Sequence, residues 1–455
     1  MAIKRQYRSG IEGVRFPAVP TQQAASLVAV LRQLDESQYW SSERLLSMQH
    51  EQLSVLLSHA MKTVPYYQQC LKQAGYDPKQ GWDEAVWSRI PIMKRAQVQS
   101  LRGNLQSKVL PKGHGQTHMI QSSGSTGRPV QVVGSDLTRF YWNVSTLREN
   151  DWQQHDFMQK FVAIRPDRSN KAEEKIHCDG WGAPVDWVYQ SNPSLIINSR
   201  IDVRRQLLLL QEYQPVYLLS IPSNLRELLR ISEQEGIKFP DLQQVRCFGE
   251  TLPEHIREHV KRVWDVPVTD MYSSQEVGYM ALQCPEHEHY HVQSETIYIE
   301  VLDDDDQPCS AGEIGRVVIT SLHNFAMPLI RYEVGDYAEV GEPCACGRGL
   351  PVLKRIVGRT RNMVRTPEGK CYWPSFPAAD WVSVADIQQL QLRQTALDKI
   401  DIMVAMDGQL NEQEVQQLTQ NLHVSLNYPF KLTFNCVESI PMQKNGKYED
   451  FISEL

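Results

Sequence analysis

The residues best suited to chemistry begin at Ser122-Ser123-Gly124-Ser125-Thr126-Gly127-Arg128-Pro129. Two glycines and four hydroxyl side chains leave backbone N–H groups uncovered, and such groups bind anionic phosphate oxygens. The hydroxyls add donors, and Arg128 adds a charge that can follow the phosphates. The run lacks the G-x-x-x-x-G-K-[ST] order of a Walker loop, and a plain Ser/Gly turn would have the same composition. A second constellation is Cys284 with Cys344 and Cys346, to which His287, His289 or His291 would add an imidazole. Three sulfurs and one nitrogen make a closed tetrahedral zinc site of the structural kind, with Cys-x-Cys-Gly as a tight knuckle. Unrelated thiols beside a polar, His-rich turn are the plainer alternative. His177 and Cys178 are adjacent, but no triad partner is evident for them.

The elements that must position these residues follow from periodicity. Leu53, Leu56, Leu57, Ala60, Met61 and Val64 recur at helical spacing within 43–64, and Pro65 stops the pattern. A helix is predicted over 223–235, with Leu225, Leu228 and Leu229 as its apolar stripe. Ser223 or Asn224 would cap it, and Gly236 follows its end. Short apolar strands alternate with such helices through the first 280 residues, which predicts α/β architecture. From 290 the texture changes to consecutive half-buried strands, with Ile297, Ile299 and Val301, then Val317 and Ile319. Beyond about residue 360, Ile400, Ile402 and Val404 alternate as a strand. Asn411 and Glu414 form a capping box for a helix carrying Val415, Leu418 and Leu422, and Leu432 and Phe434 start another strand. The boundary is expected near Gly358–Asn362, giving a large domain over 1–360 and a small α/β domain over 361–455.

Composition narrows the function classes. Hydrophobic residues are 41% of the 455 and charged residues 22%, enough for a globular core. The 47 basic and 54 acidic side chains give a net charge of −7, which argues against a nucleic-acid partner. No apolar run approaches the roughly 18–20 residues of a membrane span. The start, MAIKRQYRSG, has no apolar stretch behind its basic residues, so no secretory signal is read there. Nine mostly scattered cysteines then read as reduced, cytoplasmic thiols.

The Ser/Gly loop resembles the phosphate loop of adenylate-forming (acyl-activating, AMP-binding) enzymes, and further motifs of that superfamily follow in order. Phe248-Gly249-Glu250-Thr251-Leu252 resembles the loop beside adenine. Met271-Tyr272-Ser273-Ser274-Gln275-Glu276 resembles the motif whose tyrosine contacts adenine and whose glutamate holds Mg²⁺. Tyr332-Glu333-Val334-Gly335-Asp336 resembles the motif whose aspartate grips both ribose hydroxyls. Gly358-Arg359 resembles the ribose-contacting arginine before the interdomain hinge, and Asn445-Gly446-Lys447 the loop of the catalytic lysine. Val64-Pro65-Tyr66-Tyr67, Ile90-Pro91-Ile92-Met93-Lys94 and Cys344-Ala345-Cys346-Gly347-Arg348 resemble one branch, that of phenylacetate–coenzyme A ligase and its capsule-biosynthesis relatives. The resemblance covers nearly the whole chain.

The resemblance implies an acid–thiol ligase with a large N-terminal AMP-binding domain and a mobile C-terminal lid. MgATP and a small-molecule carboxylic acid would give acyl-AMP and pyrophosphate, and a thiol, coenzyme A, would take the acyl group. An amine acceptor is the close alternative, and a nucleotide-binding protein without turnover is a third; a homodimer is left open. A carboxylate is a poor acyl donor, and attack on the α-phosphorus piles up negative charge that Mg²⁺ on Glu276 and the Lys447 ammonium would offset. Relatives place Tyr-His before the strand at 290, which favours His291 as the zinc nitrogen. Trp181, Tyr217 and Ser220 lie in segments that line the acid pocket in relatives, although aromatics are commonly plain core. Two departures stand out. Arg361 replaces the usual hinge aspartate, and Arg365-Thr366-Pro367-Glu368-Gly369-Lys370 alters the strand that follows; both bear on the lid's swing and the coenzyme A step.

Overall fold

Helix α1 (Gln22–Ser37) starts where the Thr21 side chain accepts from the Ala24 amide, and α2 (Ser42–Thr63) where Ser41 caps Arg44. Pro65 does end α2, and it also opens α3 (Pro65–Ala74), since a first-turn residue needs no amide donor. The computed structural model describes residues 5–121, 130–165, 173–359, 363–372, 381, 384–426, 428–440 and 451–455. These form two compact units, Met1–Leu252 with Val260–Ile356, and Pro253–His259 with Val357–Leu455.

In the first unit, α4 (Glu84–Ser88) and α5 (Arg95–Leu101) precede a hairpin of β1 (Thr117–Gln121) and β2 (Gln131–Ser135). Helix α6 (Asp136–Trp152) follows, then β3 (Phe161–Arg165), β4 (Lys175–Cys178), α7 (Val185–Val188), β5 (Ser194–Asn198) and α8 (Val203–Tyr213). Next come β6 (Tyr217–Ser220), α9 (Pro222–Glu235), β7 (Gln244–Phe248), α10 (Glu254–Trp264), which belongs to this unit from Val260 on, and β8 (Val268–Ser274). Strands β9 (Gly278–Gln283), β10 (Tyr290–Val292), β11 (Ile297–Leu302), β12 (Ile314–Ser321), β13 (Tyr332–Val340) and β14 (Val352–Arg359) complete the run. Among the described residues they form one sheet in the order β11-β12-β13-β14-β10-β9-β8-β7-β6-β3-β5-β4.

Strands β5, β3, β6, β7 and β8 are mutually parallel, as the alternation of strands and helices predicts. The change to antiparallel pairing comes at the β8–β9 hairpin, a dozen residues before the sequence texture changes. Strand β12 is buried from Val317 to Ser321 on both faces, where a half-buried strand was expected. One face meets the cluster of Leu53, Leu56, Leu57 and Tyr67 from α2 and α3. Each such leucine is worth about 1.5–3 kcal/mol on burial, so packing more than propensity holds these helices.

Two of the branch-typical motifs are scaffold for β13. The buried Tyr67 hydroxyl accepts from the Ile330 amide at 3.1 Å. Arg331 pairs with Glu300 at 3.1 Å inside the protein, and its Nη1 also donates to the Ile90 carbonyl at 2.8 Å. Met93 N donates to Arg331 O at 2.8 Å and Glu333 N to Met93 O at 3.0 Å, so residues 90–94 run alongside the start of β13. Removing either member of the buried Arg331–Glu300 pair would leave a desolvated charge, which typically costs about 3–5 kcal/mol.

In the second unit, β17 (Ile387–Ala396) pairs antiparallel with β18 (Lys399–Met406), and the following helix α11 (Glu412–Ser425) crosses to a parallel β19 (Lys431–Val437). Strand β20 (Phe451–Ser453) lies parallel to β17. The Asn411–Glu414 capping box is present in both directions, at 2.9 and 2.8 Å. Leu392, Ile400, Ile402, Val404, Leu418 and Leu422 form a core of this unit's own. Residues 365–370 make a tight turn at Gly369 between β15 (Val364–Arg365) and β16 (Cys371–Tyr372), with Thr366 N donating to Lys370 O.

Candidate active site and metal cluster

Loops that leave the carboxyl ends of parallel strands form the ligand-bearing edge of an open α/β sheet. Here that edge holds residues 221–223 after β6, 249–252 after β7 and 275–277 after β8. Gly249 turns with φ of 76°, a conformation that only glycine adopts cheaply. Tyr272 ends its side chain against Asp336, donating from the hydroxyl to Oδ2 at 2.9 Å. In the sheet order β8 and β13 stand four places apart, about 19 Å on a flat sheet. The bond therefore requires the antiparallel half to curl, and the curl brings two motifs together that are 64 residues apart.

Glu276, in the turn between β8 and β9, is nearly buried and meets Arg95 Nη1 at 3.2 Å. Arg95 reaches it because Met93 is tied to β13 and α5 begins two residues later. Burial, then the negative Glu276, raise the Tyr332 hydroxyl pKa, and Arg95 opposes the rise. Tyr272, Glu276, Tyr332 and Asp336 thus share one acidic, mostly buried corner with Arg95 as a counter-ion. Arg95 is not among the expected site residues, and its one signal in the sequence is its place directly after the Ile90-Pro91-Ile92-Met93-Lys94 motif.

Glu250 points at the start of α9. Its Oε2 accepts from the Ser223 amide at 2.9 Å and its Oε1 from the Ser223 hydroxyl at 3.1 Å. The expected cap for this helix was Ser223 or Asn224. Instead Ile221 occupies the N-cap position without a side-chain bond, Pro222 takes the first helical position, and a carboxylate from the next loop satisfies the orphan amide. Ser273 lies on β8, half-buried.

Ser122 to Arg128, expected to form the phosphate loop, lie outside the described residues, as do Arg361, Lys447 and the side chain of Arg359, the last residue of β14. The flanking strands are described, and Gln121 pairs with Gln131 across the base of the loop. Trp181 and Tyr217 pack into one aromatic cluster, with Trp181 stacked on Phe161 at 4.7 Å and 5.5 Å from Tyr217. Their polar ends are used internally: Trp181 Nε1 donates to Gln159 O, and Tyr217 accepts from the Asp156 amide. Ser220 is buried and accepts from Asn224 Nδ2 at 3.2 Å. His177 is exposed on the edge strand β4.

Cysteine and histidine side chains gather where the β9–β10 turn meets the β13–β14 connection. One ligand atom each from Cys284, His289, His291 and Cys344 lies within 4.8 Å of all the others. The Cys284 and Cys344 sulfurs are 3.9 Å apart, and His287 Nδ1 stands 3.6 and 3.5 Å from them. Cys346 Sγ is 3.4 Å from His291 Nε2. Around zinc, Zn–S of about 2.3 Å and Zn–N of about 2.0–2.1 Å put S···S edges near 3.8 Å and S···N edges near 3.6 Å. The separations among Cys284, Cys344 and His287 have those lengths, so these three donors fit the ion. Of the expected donors, Cys284, His291 and Cys344 fall in this group together with His289, while Cys346 lies against His291 and His287 against the other two sulfurs. Burial pushes the Cys284 thiol up to about 12 and the His291 imidazole down to about 4, the cost that a bound cation reverses.

Comparison with known proteins agrees with this fold. A 2-hydroxyisobutyryl-CoA ligase solved in its postadenylation state superposes with a TM-score of 0.70 at 17% identity, over 92% of this chain and 91% of that one. The chain therefore shares the fold of that ligase. Phenylacetate–coenzyme A ligase of Thermus thermophilus is 25% identical over 391 residues, 82% of this chain and 81% of the relative. The Escherichia coli enzyme of the same name is 26% identical over 352 residues, 73% of this chain and 75% of its own. Residues 378–454 match the CapK C-terminal domain family. Over most of its length the chain is thus similar to phenylacetate–coenzyme A ligases.

Proposed function

We propose that this acid–thiol ligase activates a carboxylic acid with ATP as acyl-AMP, releases pyrophosphate and passes the acyl group to coenzyme A. The observation that carries the reading is the Tyr272–Asp336 hydrogen bond at 2.9 Å, which joins the expected adenine and ribose contacts at one sheet edge. In this reading Gly249, Tyr272 and Ser273 flank the adenine, and Asp336 and Arg359 hold the ribose. Residues Ser122 to Arg128 cradle the phosphates. The nearly buried Glu276 carboxylate is a hard oxygen donor suited to Mg²⁺. Bound there, the ion would offset charge on the phosphates, and Lys447 would add an ammonium at the α-phosphate.

We assign residues 1–360 to the nucleotide-binding domain and 361–455 to a mobile lid, a reading supported by the separate core around Ile402 and Leu418. The Cys/His cluster is read as a structural zinc site, supported by its edge lengths. A reducing, cytoplasmic setting belongs to the same reading. Among the described residues no helix is long and apolar enough to cross a membrane.

The test is acid-dependent exchange of labelled pyrophosphate into ATP across a panel of aryl and alkyl acids, followed by acceptor consumption. Exchange with coenzyme A consumed supports the whole reading. Exchange with an amine consumed replaces the acceptor, and no exchange with any acid rejects adenylation.

A further inference from the structure

We infer that Glu250 is a positioning residue: its carboxylate clamps the loop after β7 to the start of α9, and it acts on the nucleotide through that loop. The inference rests on the adenylation reading and changes the part Glu250 plays in it. Three observations carry it. First, both carboxylate oxygens accept from Ser223, at 2.9 Å from its amide and 3.1 Å from its hydroxyl. Second, α9 lacks a side-chain cap of its own, because Ile221 stands at its N-cap. An anion at a helix start is favoured by the orphan amides and the helix dipole, so the carboxylate is held there strongly. Third, Glu250 directly follows Gly249, whose φ of 76° is the pivot of the loop.

Gly249 sets the direction of the loop, and the carboxylate one residue on ties the loop to α9. The β6–α9 and β7–α10 connections leave adjacent parallel strands, Tyr217–Ser220 paired with Gln244–Cys247, at the same edge. The clamp therefore fixes two ligand-edge loops to each other. A loop free to pivot would still bind nucleotide, but only in the fraction of time spent in the right place, which raises the apparent dissociation constant by the inverse of that fraction.

The experiment compares Glu250→Ala, Glu250→Gln, Ser223→Ala and the Glu250→Ala/Ser223→Ala double variant in the full chain. ATP KM and kcat come from pyrophosphate exchange, and protection of the Ser223 amide and of 249–252 from hydrogen exchange. Glu250→Ala should raise KM for ATP about tenfold with kcat within twofold, and deprotect the Ser223 amide. Glutamine keeps an acceptor for the amide and a donor for the hydroxyl, so Glu250→Gln should return KM to within about threefold of wild type. Ser223→Ala should show the same pattern more weakly, and the double variant should match Glu250→Ala alone. Additive effects of the two single changes, or a raised KM with the Ser223 amide still protected, would mean that Glu250 touches the nucleotide directly and overturn the inference. A lower melting temperature with KM unchanged would reduce the clamp to a helix cap and overturn it as well. Should the wild-type chain show no exchange with any acid, the adenylation reading fails. Unchanged exchange protection in Glu250→Ala would then reject the clamp on its own account.

Discussion

Replacing Arg95 with alanine is the sharpest probe of the acidic corner, because it predicts a gain and a loss in one protein. The guanidinium meets Glu276 at 3.2 Å, with the two side chains 21% and 9% exposed. At an effective dielectric of about 20 the Coulomb attraction at this separation is about 5 kcal/mol. Desolvation and side-chain ordering cancel most of it, leaving about 1 kcal/mol net for a pair that still touches water. A Mg²⁺ ion that takes the Glu276 carboxylate must outcompete that bond. Without Arg95 the competition disappears, and about 1 kcal/mol corresponds to roughly a fivefold lower Mg²⁺ half-saturation. The maximal rate of acyl-AMP formation should fall, since the corner loses a preorganised positive charge where phosphate charge would accumulate. Single-turnover acyl-AMP formation titrated with Mg²⁺ reads both effects. Arg95→Lys, which keeps the charge, should stay near wild type in both. A half-saturation unchanged or raised in Arg95→Ala would refute the competition, and with it the placement of the metal on Glu276.

Three further outcomes are expected. Asp336→Ala should weaken ATP binding about tenfold or more, the worth of a charge-assisted pair of hydrogen bonds, and unchanged affinity by calorimetry in a folded protein would remove Asp336 from the site. Protein purified without added zinc should carry about one zinc per chain, and chelation should lower its melting temperature before it slows pyrophosphate exchange; a metal content near zero would leave ordinary thiols. Lys447→Ala should slow acyl-AMP formation by roughly 10²–10³-fold and spare transfer from supplied acyl-AMP, whereas equal loss in both half-reactions would give the lysine a general structural part.

Periodicity made the helices legible where one face is buried, as in α2 and α11, and the Asn411–Glu414 capping box was readable to the residue. It failed where the partner of a local element is remote. The cap of α9 comes from Glu250, 27 positions beyond Ser223, and no local pattern reports it. The counter-ion of Glu276 comes from 181 positions away, set there by the Arg331 network. Strand β12 read as half-buried because Thr320 and Ser321 are polar by type. In the fold the Thr320 hydroxyl accepts from the buried Arg331 amide, so a polar side chain sits inside at little cost. The metal-ligand types were plain from composition, but the choice of imidazole was not. His287, His289 and His291 alternate along one short segment, and the turn folds all three toward the same sulfurs.

That surplus of donors, set beside the surroundings of the knuckle, explains why a metal here would hold the fold without entering the reaction. Arg348, just past the Cys-x-Cys-Gly turn, lies 4.6 Å from the Trp152 ring and donates to Gln38 Oε1 at 2.8 Å. Gly349 donates its amide to Gln38 O at 2.9 Å, and a side chain there would collide with the Trp40 carbonyl. The knuckle therefore grips the turn between α1 and α2, while its sulfurs grip the β9–β10 turn. Strand β9 pairs directly with β8, Ala281 opposite Tyr272. Loss of the ion would loosen three segments at once, but Tyr272 would still be held from its other end by Asp336 and from β7 by the parallel ladder. Stability should therefore respond to chelation first and nucleotide affinity later. The reverse order would mean that the β8–β9 hairpin depends on the metal for its position at the site.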